Sequence, residues 1–178
     1  NHYNEIGQLE WKKVGGILGS PLQKVDYSYN IRGWMTGINS ADISQTTNPD
    51  NEYSTLLNGK LFGYNIRYND PKNASLALGK YSGNIAEVDW IYKDTSMQRY
   101  GYQYDGLNRL LKGNYQSPDL TLPESHINDE ALTYDRNGNI KTLVRNGKHG
   151  KYYTPIVVDN LGYQYPGNRV PNITAASG

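Results

Sequence analysis

The chain has no cysteine, one phenylalanine and two methionines among 178 residues, and its 18 Lys and Arg nearly cancel its 17 Asp and Glu. Lack of cysteine excludes disulfide scaffolds, cysteine-ligated zinc, iron–sulfur clusters and thiol nucleophiles. A formal charge of +1 supplies no long-range field to gather phosphates, so nucleic acid is not an expected partner. No apolar run approaches the roughly 20 residues of a membrane span, and no basic-then-apolar leader follows Asn1. The expectation is that the natural N-terminus, with any secretion signal, lies upstream. Hydrophobic residues make up 37 %, against roughly 45 to 50 % in an average domain, so a thick leucine-rich core is not expected. The length suits one domain over 1–178.

What the chain has in excess is tyrosine, 17 residues, together with 19 glycines and many asparagines. This composition favours short strands and tight turns over long helices. Four segments share one frame: Tyr3-Asn4-Glu5-Ile6-Gly7-Gln8-Leu9, Tyr29-Asn30-Ile31-Arg32-Gly33-Trp34-Met35, Tyr104-Asp105-Gly106-Leu107-Asn108-Arg109-Leu110 and Tyr134-Asp135-Arg136-Asn137-Gly138-Asn139-Ile140. Shortened relatives occur at Tyr81 to Ile85 and Tyr165 to Val170. Asp or Asn suits the first place of a type I turn, where its side chain accepts backbone N–H groups. Gly or Asn three residues later tolerates the positive φ that a bulged hairpin turn needs. Each unit therefore reads as a β-hairpin, with Tyr ending one strand and the aliphatic residue opening the next.

Strand periodicity puts Tyr100, Tyr102 and Tyr104 on one face, with Gly101 and Gln103 opposite. In four units a second aliphatic residue follows the opening one three positions on: Met35 and Ile38, Ile85 and Val88, Ile140 and Leu143, and Val170 and Ile173. That spacing misfits a regular strand and predicts a bulge after each turn, and with it a curved sheet. Two segments lack the frame. Residues 39 to 58 read as a surface excursion with one helical turn near Tyr53 to Leu57, and residues 116 to 131 as a second, where Pro123 would start a short helix over Glu124 to Ala131. No domain boundary is evident.

The Tyr29 unit, Leu61-Phe62-Gly63-Tyr64, Tyr81-Ser82-Gly83-Asn84-Ile85 with Trp90 behind it, Tyr102 to Leu110 and the Tyr134 unit resemble, in this order, the YD-repeat region of Rhs-type proteins, particularly those of Bacteroidetes. The resemblance implies an all-β fold of consecutive antiparallel hairpins forming a twisted, curved sheet, part of a β-shell. It further implies a fragment of a large secreted or cell-surface bacterial protein, whose partners are the neighbouring repeats and, in several members, an enclosed C-terminal toxin. The family's downstream Asp-Pro-x-Gly-Arg motif has no match here, so neither autoproteolysis nor toxin activity carries over.

Candidate chemistry is sparse. His2, His126 and His149 lie far apart, without H-E-x-x-H spacing, and read as exposed or turn residues. Asp135-Arg136-Asn137-Gly138-Asn139 starts like a calcium loop, but Ile140 stands where that loop needs Gly and Asn146 where it needs Glu. No Gly-x-Ser-x-Gly, P-loop or Gly-x-Gly-x-x-Gly pattern occurs. The pairs Glu87 with Asp89 and Asp129 with Glu130 could in principle serve a glycosidase; the first would share one strand face, where like charges usually mark solvent. No catalytic, cofactor or metal residue is therefore assigned, and a non-enzymatic scaffold is expected. The alternative is a carbohydrate-binding module using Trp34, Trp90 and the Tyr rows as stacking platforms, although rings that recur in every unit suit a thin core better. A chain that starts in a repeat at Tyr3 and stops after one near Val170 would also carry two unpaired edge strands, expected either to self-associate or to be covered by the 39 to 58 or 116 to 131 excursion.

Overall fold

In a computed structural model, residues 1–17, 19–40, 43–48, 51–56, 59–93, 95, 97–116, 126–148, 154–167, 169 and 172–175 are described. Fourteen strands run in chain order: β1 His2–Tyr3, β2 Leu9–Val14, β3 Gln23–Tyr29, β4 Met35–Ile38, β5 Ile43–Asn48, β6 Asn51–Leu56, β7 Phe62–Arg67, β8 Glu87–Tyr92, β9 Gln98–Tyr104, β10 Leu110–Gln116, β11 Glu130–Tyr134, β12 Ile140–Lys148, β13 Pro155–Gln164 and β14 Asn172–Ala175. Twelve form one open antiparallel sheet in the order β1-β2-β3-β4-β7-β8-β9-β10-β11-β12-β13-β14, and β5 with β6 make a separate two-stranded hairpin. Apart from that inserted hairpin, sequence neighbours are sheet neighbours. The all-β fold of consecutive hairpins is as the composition and the repeats foretell.

The four full repeats have one geometry. In each, the turn Asn or Asp accepts two backbone N–H groups through Oδ1: Asn4 from Ile6 and Gln8, Asn30 from Arg32 and Trp34, Asp105 from Leu107 and Arg109, Asp135 from Asn137 and Asn139, all at 2.8–3.2 Å. The residue four after each Tyr has positive φ: Gly7 80°, Gly33 79°, Asn108 61°, Gly138 88°. Each frame Tyr faces the aliphatic residue six positions on, as in Tyr104 with Leu110 and Tyr134 with Ile140. The residue preceding that Tyr faces the eighth, so the seventh is the bulge: Glu10, Thr36, Leu111 and Lys141. The predicted bulge is present in all four. Of the shortened units, Tyr81 to Ile85 forms no hairpin; it belongs to the long connection from β7 to β8.

Both helical expectations fail. Tyr53 to Leu56 lies in strand β6, paired along its length with β5, and Leu57 is outside the described residues. Ile127 and Asn128 form a turn and Glu130 already opens β11, while Glu124 and Ser125 are not described. Backbone pairing with an adjacent strand overrides a weak local helical preference. The first excursion is also anchored: Asn39 is buried, and its carboxamide accepts from Asp26 N–H at 2.9 Å and donates to Phe62 C=O at 2.7 Å, tying β3 to β7.

Among the described residues the core is thin, with Leu76 as its one leucine: Ile66, Tyr68, Leu76, Ala77, Ala86, Val88, Ile91, Met97, Tyr115 and Ile127 are the buried apolar residues. It lies on both sides of β7–β10. On one side Ile66, Tyr68 and Val88 are covered by Trp34, Met35, Tyr64, Ile85, Trp90, Tyr100 and Tyr102. On the other, the β7–β8 connection crosses the sheet so closely that a Cβ at Gly101 would sit 2.6 Å from Leu76 Cβ; glycine there permits the approach.

Candidate functional site

Three features could carry chemistry. The first is a buried ionic quartet under the β7–β8 connection. Strand alternation puts Arg67, Glu87, Asp89 and Arg99 on one face; Glu87 and Asp89 are fully buried, where sequence reasoning expected solvent. Arg67 Nη1 donates to Glu87 at 2.7 Å and to Asp89 at 2.6 Å. Arg99 donates to Asp89 through Nε at 2.6 Å and Nη2 at 3.0 Å. The backbone N–H groups of Lys72 and Asn73 complete Glu87, each at 2.9 Å. Burial alone would lower the Arg99 pKa, but bonding to Asp89 and the charges of Asp89 and Glu87 lift it above the usual value. Two carboxylates against two guanidiniums leave neither acid to act as a proton donor or nucleophile, so the arrangement clamps the connection onto the sheet. The missed signal was Arg67 and Arg99 flanking Glu87 and Asp89 in register.

The second feature is the opposite, aromatic face. Trp90 stacks on Tyr100 at 5.7 Å between ring centroids and Tyr100 on Tyr102 at 5.9 Å, while Tyr115 meets Tyr100 edge-on at 5.5 Å. Burial first, then the charges of Glu130 and Asp129, pushes the Tyr100 hydroxyl up to about 12; Tyr102 is raised by the same dominant cause. The rings are spent largely on one another. Hydroxyls at the repeat joints also hold neighbouring backbone: Tyr29 donates to Leu9 C=O at 3.1 Å, Tyr68 to Met35 at 2.9 Å, Tyr104 to Ile85 and Tyr134 to Leu110 at 2.7 Å. Leu9 and Leu110 are the aliphatic openers of full units and Ile85 that of a short one, so Tyr29, Tyr104 and Tyr134 each fasten their unit to the one before it, while Tyr68, outside the frame, holds Met35 of the Tyr29 unit. The recurrence of Tyr at a fixed frame position was the visible signal; its reach was not.

The third is a polar cleft of about 370 Å³ beside the turn at His126, lined by Gln103, Lys112, Asn114, Asp129 and Asn146 over a floor of Ala131 and Val144. Asp129 Oδ1 accepts from Tyr115 N–H at 2.7 Å and Oδ2 meets His126 Nδ1 at 2.5 Å. His126 holds φ at 52°. This pair resembles the base half of a hydrolytic dyad, and among the described residues that line the cleft none is a Ser, Thr or Cys. Glu130 borders the cleft beside Asp129. His2 sits elsewhere, stacked on Trp11 at 5.1 Å and 3.2 Å from Glu10; His149 is outside the described residues. Among the described residues no group of three or more His, Cys, Asp or Glu is placed to hold a metal ion. Asp135, the first residue of the calcium-like loop, spends its carboxylate on its own turn. Among the described residues no helix is long and apolar enough to cross a membrane.

Comparison of the sequence with protein-family models and with curated proteins finds no match.

Proposed function

We propose that this chain is a stretch of wall in a large secreted or cell-surface bacterial protein of the Rhs type, a non-enzymatic scaffold that encloses a payload carried by its parent. The observation that carries this reading is the identity of the four full repeats. A wall made by repetition needs each unit to present its successor at a constant angle. The Asx turn and seventh-position bulge shared by all four, and the reach of Tyr29, Tyr104 and Tyr134 to a carbonyl of the preceding unit, supply such a joint. Bulges bend and twist the strands that carry them, so a bulge at every unit favours a sheet that keeps curving.

The test is electron cryo-microscopy of the chain together with the sequence that adjoins it in its parent gene. The expected result is a continuous sheet in which neighbouring hairpins extend the strand order past β1 and β14 around a cavity. Separately folded neighbours with β1 and β14 left as edges would overturn it.

A further inference from the structure

Gln103 of the polar cleft also borders a second depression of about 380 Å³, whose lining includes Ala74, Ala77, Leu78, Lys80 and Leu111 with the polar Ser75 and the rings of Tyr102 and Tyr104. The two basins differ in character. The second is bordered by four aliphatic side chains, with Leu78 widely exposed. The first is amide-rich: Gln103 and Asn114 each donate one amide hydrogen to Leu76 C=O, at 3.3 and 3.2 Å, and Asn146 donates one to His126 C=O at 3.0 Å. Fixing one amide N–H leaves a carbonyl oxygen and a second N–H on each side chain, and no described residue donates to those three carbonyls. A donor beside an acceptor on one planar group matches the N–H and C=O of an extended main chain.

The charges narrow the ligand. Asp129 is engaged by His126 and by Tyr115 N–H. Lys112 has no ion pair or hydrogen bond among the described residues, and the Lys80 ammonium rests only on the Tyr104 ring, 5.3 Å from its centroid. Of the two carboxylates at the border, Asp129 is thus engaged, and Glu130 stands opposite Gly113, the partner of Tyr102, on the side of the sheet that carries the tyrosines. Two cations with no carboxylate partner among the described residues, one at each basin, favour an acidic partner.

We propose that this double-basin groove binds an extended peptide segment, an aliphatic side chain seated between Leu78 and Leu111, its main chain paired with the amides of Gln103, Asn114 and Asn146, and an acidic side chain on Lys112. The inference holds whether or not the sheet belongs to a larger wall. Apolar pockets joined to main-chain hydrogen bonds are a recurrent way of reading extended peptides.

Amide chemical shifts of the labelled chain, titrated with a capped peptide of alternating Leu and Asp, test it. Shifts are expected at Gln103, Lys112, Ala131 and Val144, absent with the Leu-to-Ser peptide. A Lys112→Glu variant should bind on the order of tenfold more weakly and gain affinity for the Leu–Lys counterpart. Ala131→Tyr, which fills the floor without removing a hydrogen bond, should abolish the shifts while the melting temperature holds. Shifts confined to β1 or β14 would mean edge-strand addition and would overturn the groove. So would equal binding of the Leu–Lys peptide to the unmodified chain, or a response to neutral disaccharides at the same amides with none to the peptide.

Discussion

Strand β8 shows two ways of building a protein interior within a single residue step. Val88 and Trp90 point into the aromatic face, whereas Glu87 and Asp89 point into the face beneath the β7–β8 connection. The aromatic side is graded: Trp90, Tyr100 and Tyr102 are half-buried and cover one another, and each loses only part of its contact with water. The charged side is all or none, since Glu87 and Asp89 are 0 % exposed and survive there only because Arg67 and Arg99 meet them. Damage to the first face should be proportionate, and damage to the second abrupt.

Asp89→Ala offers the largest break. It strips Arg99 of two hydrogen bonds and Arg67 of one, leaving the buried Arg99 and the partly buried Arg67 with only Glu87 between them. Breaking a buried pair by removing one partner costs about 3 to 5 kcal/mol, a large share of the roughly 5 to 15 kcal/mol that holds a typical domain folded. The expected outcome is a large drop in the urea midpoint or failure to fold at 37 °C. An Asp89→Ala midpoint close to the parent's would mean that water reaches the quartet. Tyr102→Ala should come next, at roughly 3 kcal/mol for an aromatic truncation, with melting still cooperative because the neighbouring rings close in. A protein that kept its midpoint would place Tyr102 outside the core and reopen the aromatic face as a binding platform.

How far the sequence foretold this contrast depends on periodicity. The hairpins, turn positions, positive φ at Gly138 and post-turn bulges all follow from a frame recurring at Tyr3, Tyr29, Tyr104 and Tyr134. Those features are local, set within a few residues by side-chain-to-backbone hydrogen bonds. The buried quartet was not legible, because its burial depends on a connection from Tyr68 to Ala86 folding back over the sheet, and that path is set by Leu76 and Glu87, far apart in sequence. The cleft was illegible for the same reason: Gln103, Lys112, Asn114 and Asn146 come from three strands. Alternation placed Glu87 and Asp89 on one face correctly, but it could not say that this face is roofed.

The turns permit a smaller, purely local test. Gly138 has open space around its Cα: a Cβ added there would find its nearest neighbour, Arg109 Nη1, at 3.9 Å, and the backbone φ is 88°. The Cβ meets only the end of a flexible side chain at ordinary contact distance, so the main cost of valine there is backbone strain. That should exceed the roughly 1 kcal/mol of a Gly-to-Ala change in relaxed backbone, giving a modest fall in the denaturant midpoint. An unchanged midpoint would remove the bulged-turn geometry from this unit.

The smallest effect separates repeats that are otherwise alike. Units at Tyr3 and Tyr29 close their turns with Asn4 and Asn30, which do not titrate, whereas units at Tyr104 and Tyr134 use Asp105 and Asp135. Asp105 is held below the usual carboxylate range by the Arg109 backbone N–H, then by the Arg109 side chain and the Leu107 N–H. Asp135 is lowered by the Asn139 side chain first, then by the Asn139, Asn137 and Gly138 N–H groups. A carboxyl whose pKa is lower folded than unfolded contributes stability that is present above its unfolded pKa, about 3.9, and fades as pH falls through the folded value. Neutral pH therefore leaves all four turns closed, and acid should loosen two of them. Amide shifts of Leu107, Arg109, Asn137 and Asn139 should titrate together below about pH 4, while Ile6, Gln8, Arg32 and Trp34, bonded to asparagine in the same geometry, stay flat. If all eight amides moved together, the acid response would belong to the sheet as a whole and the carboxylates would have no separate role in their turns. Midpoints at or above the ordinary carboxylate pKa would show that the Asp105 and Asp135 hydrogen bonds do not favour the charged form, and Asn and Asp would then be interchangeable in this frame.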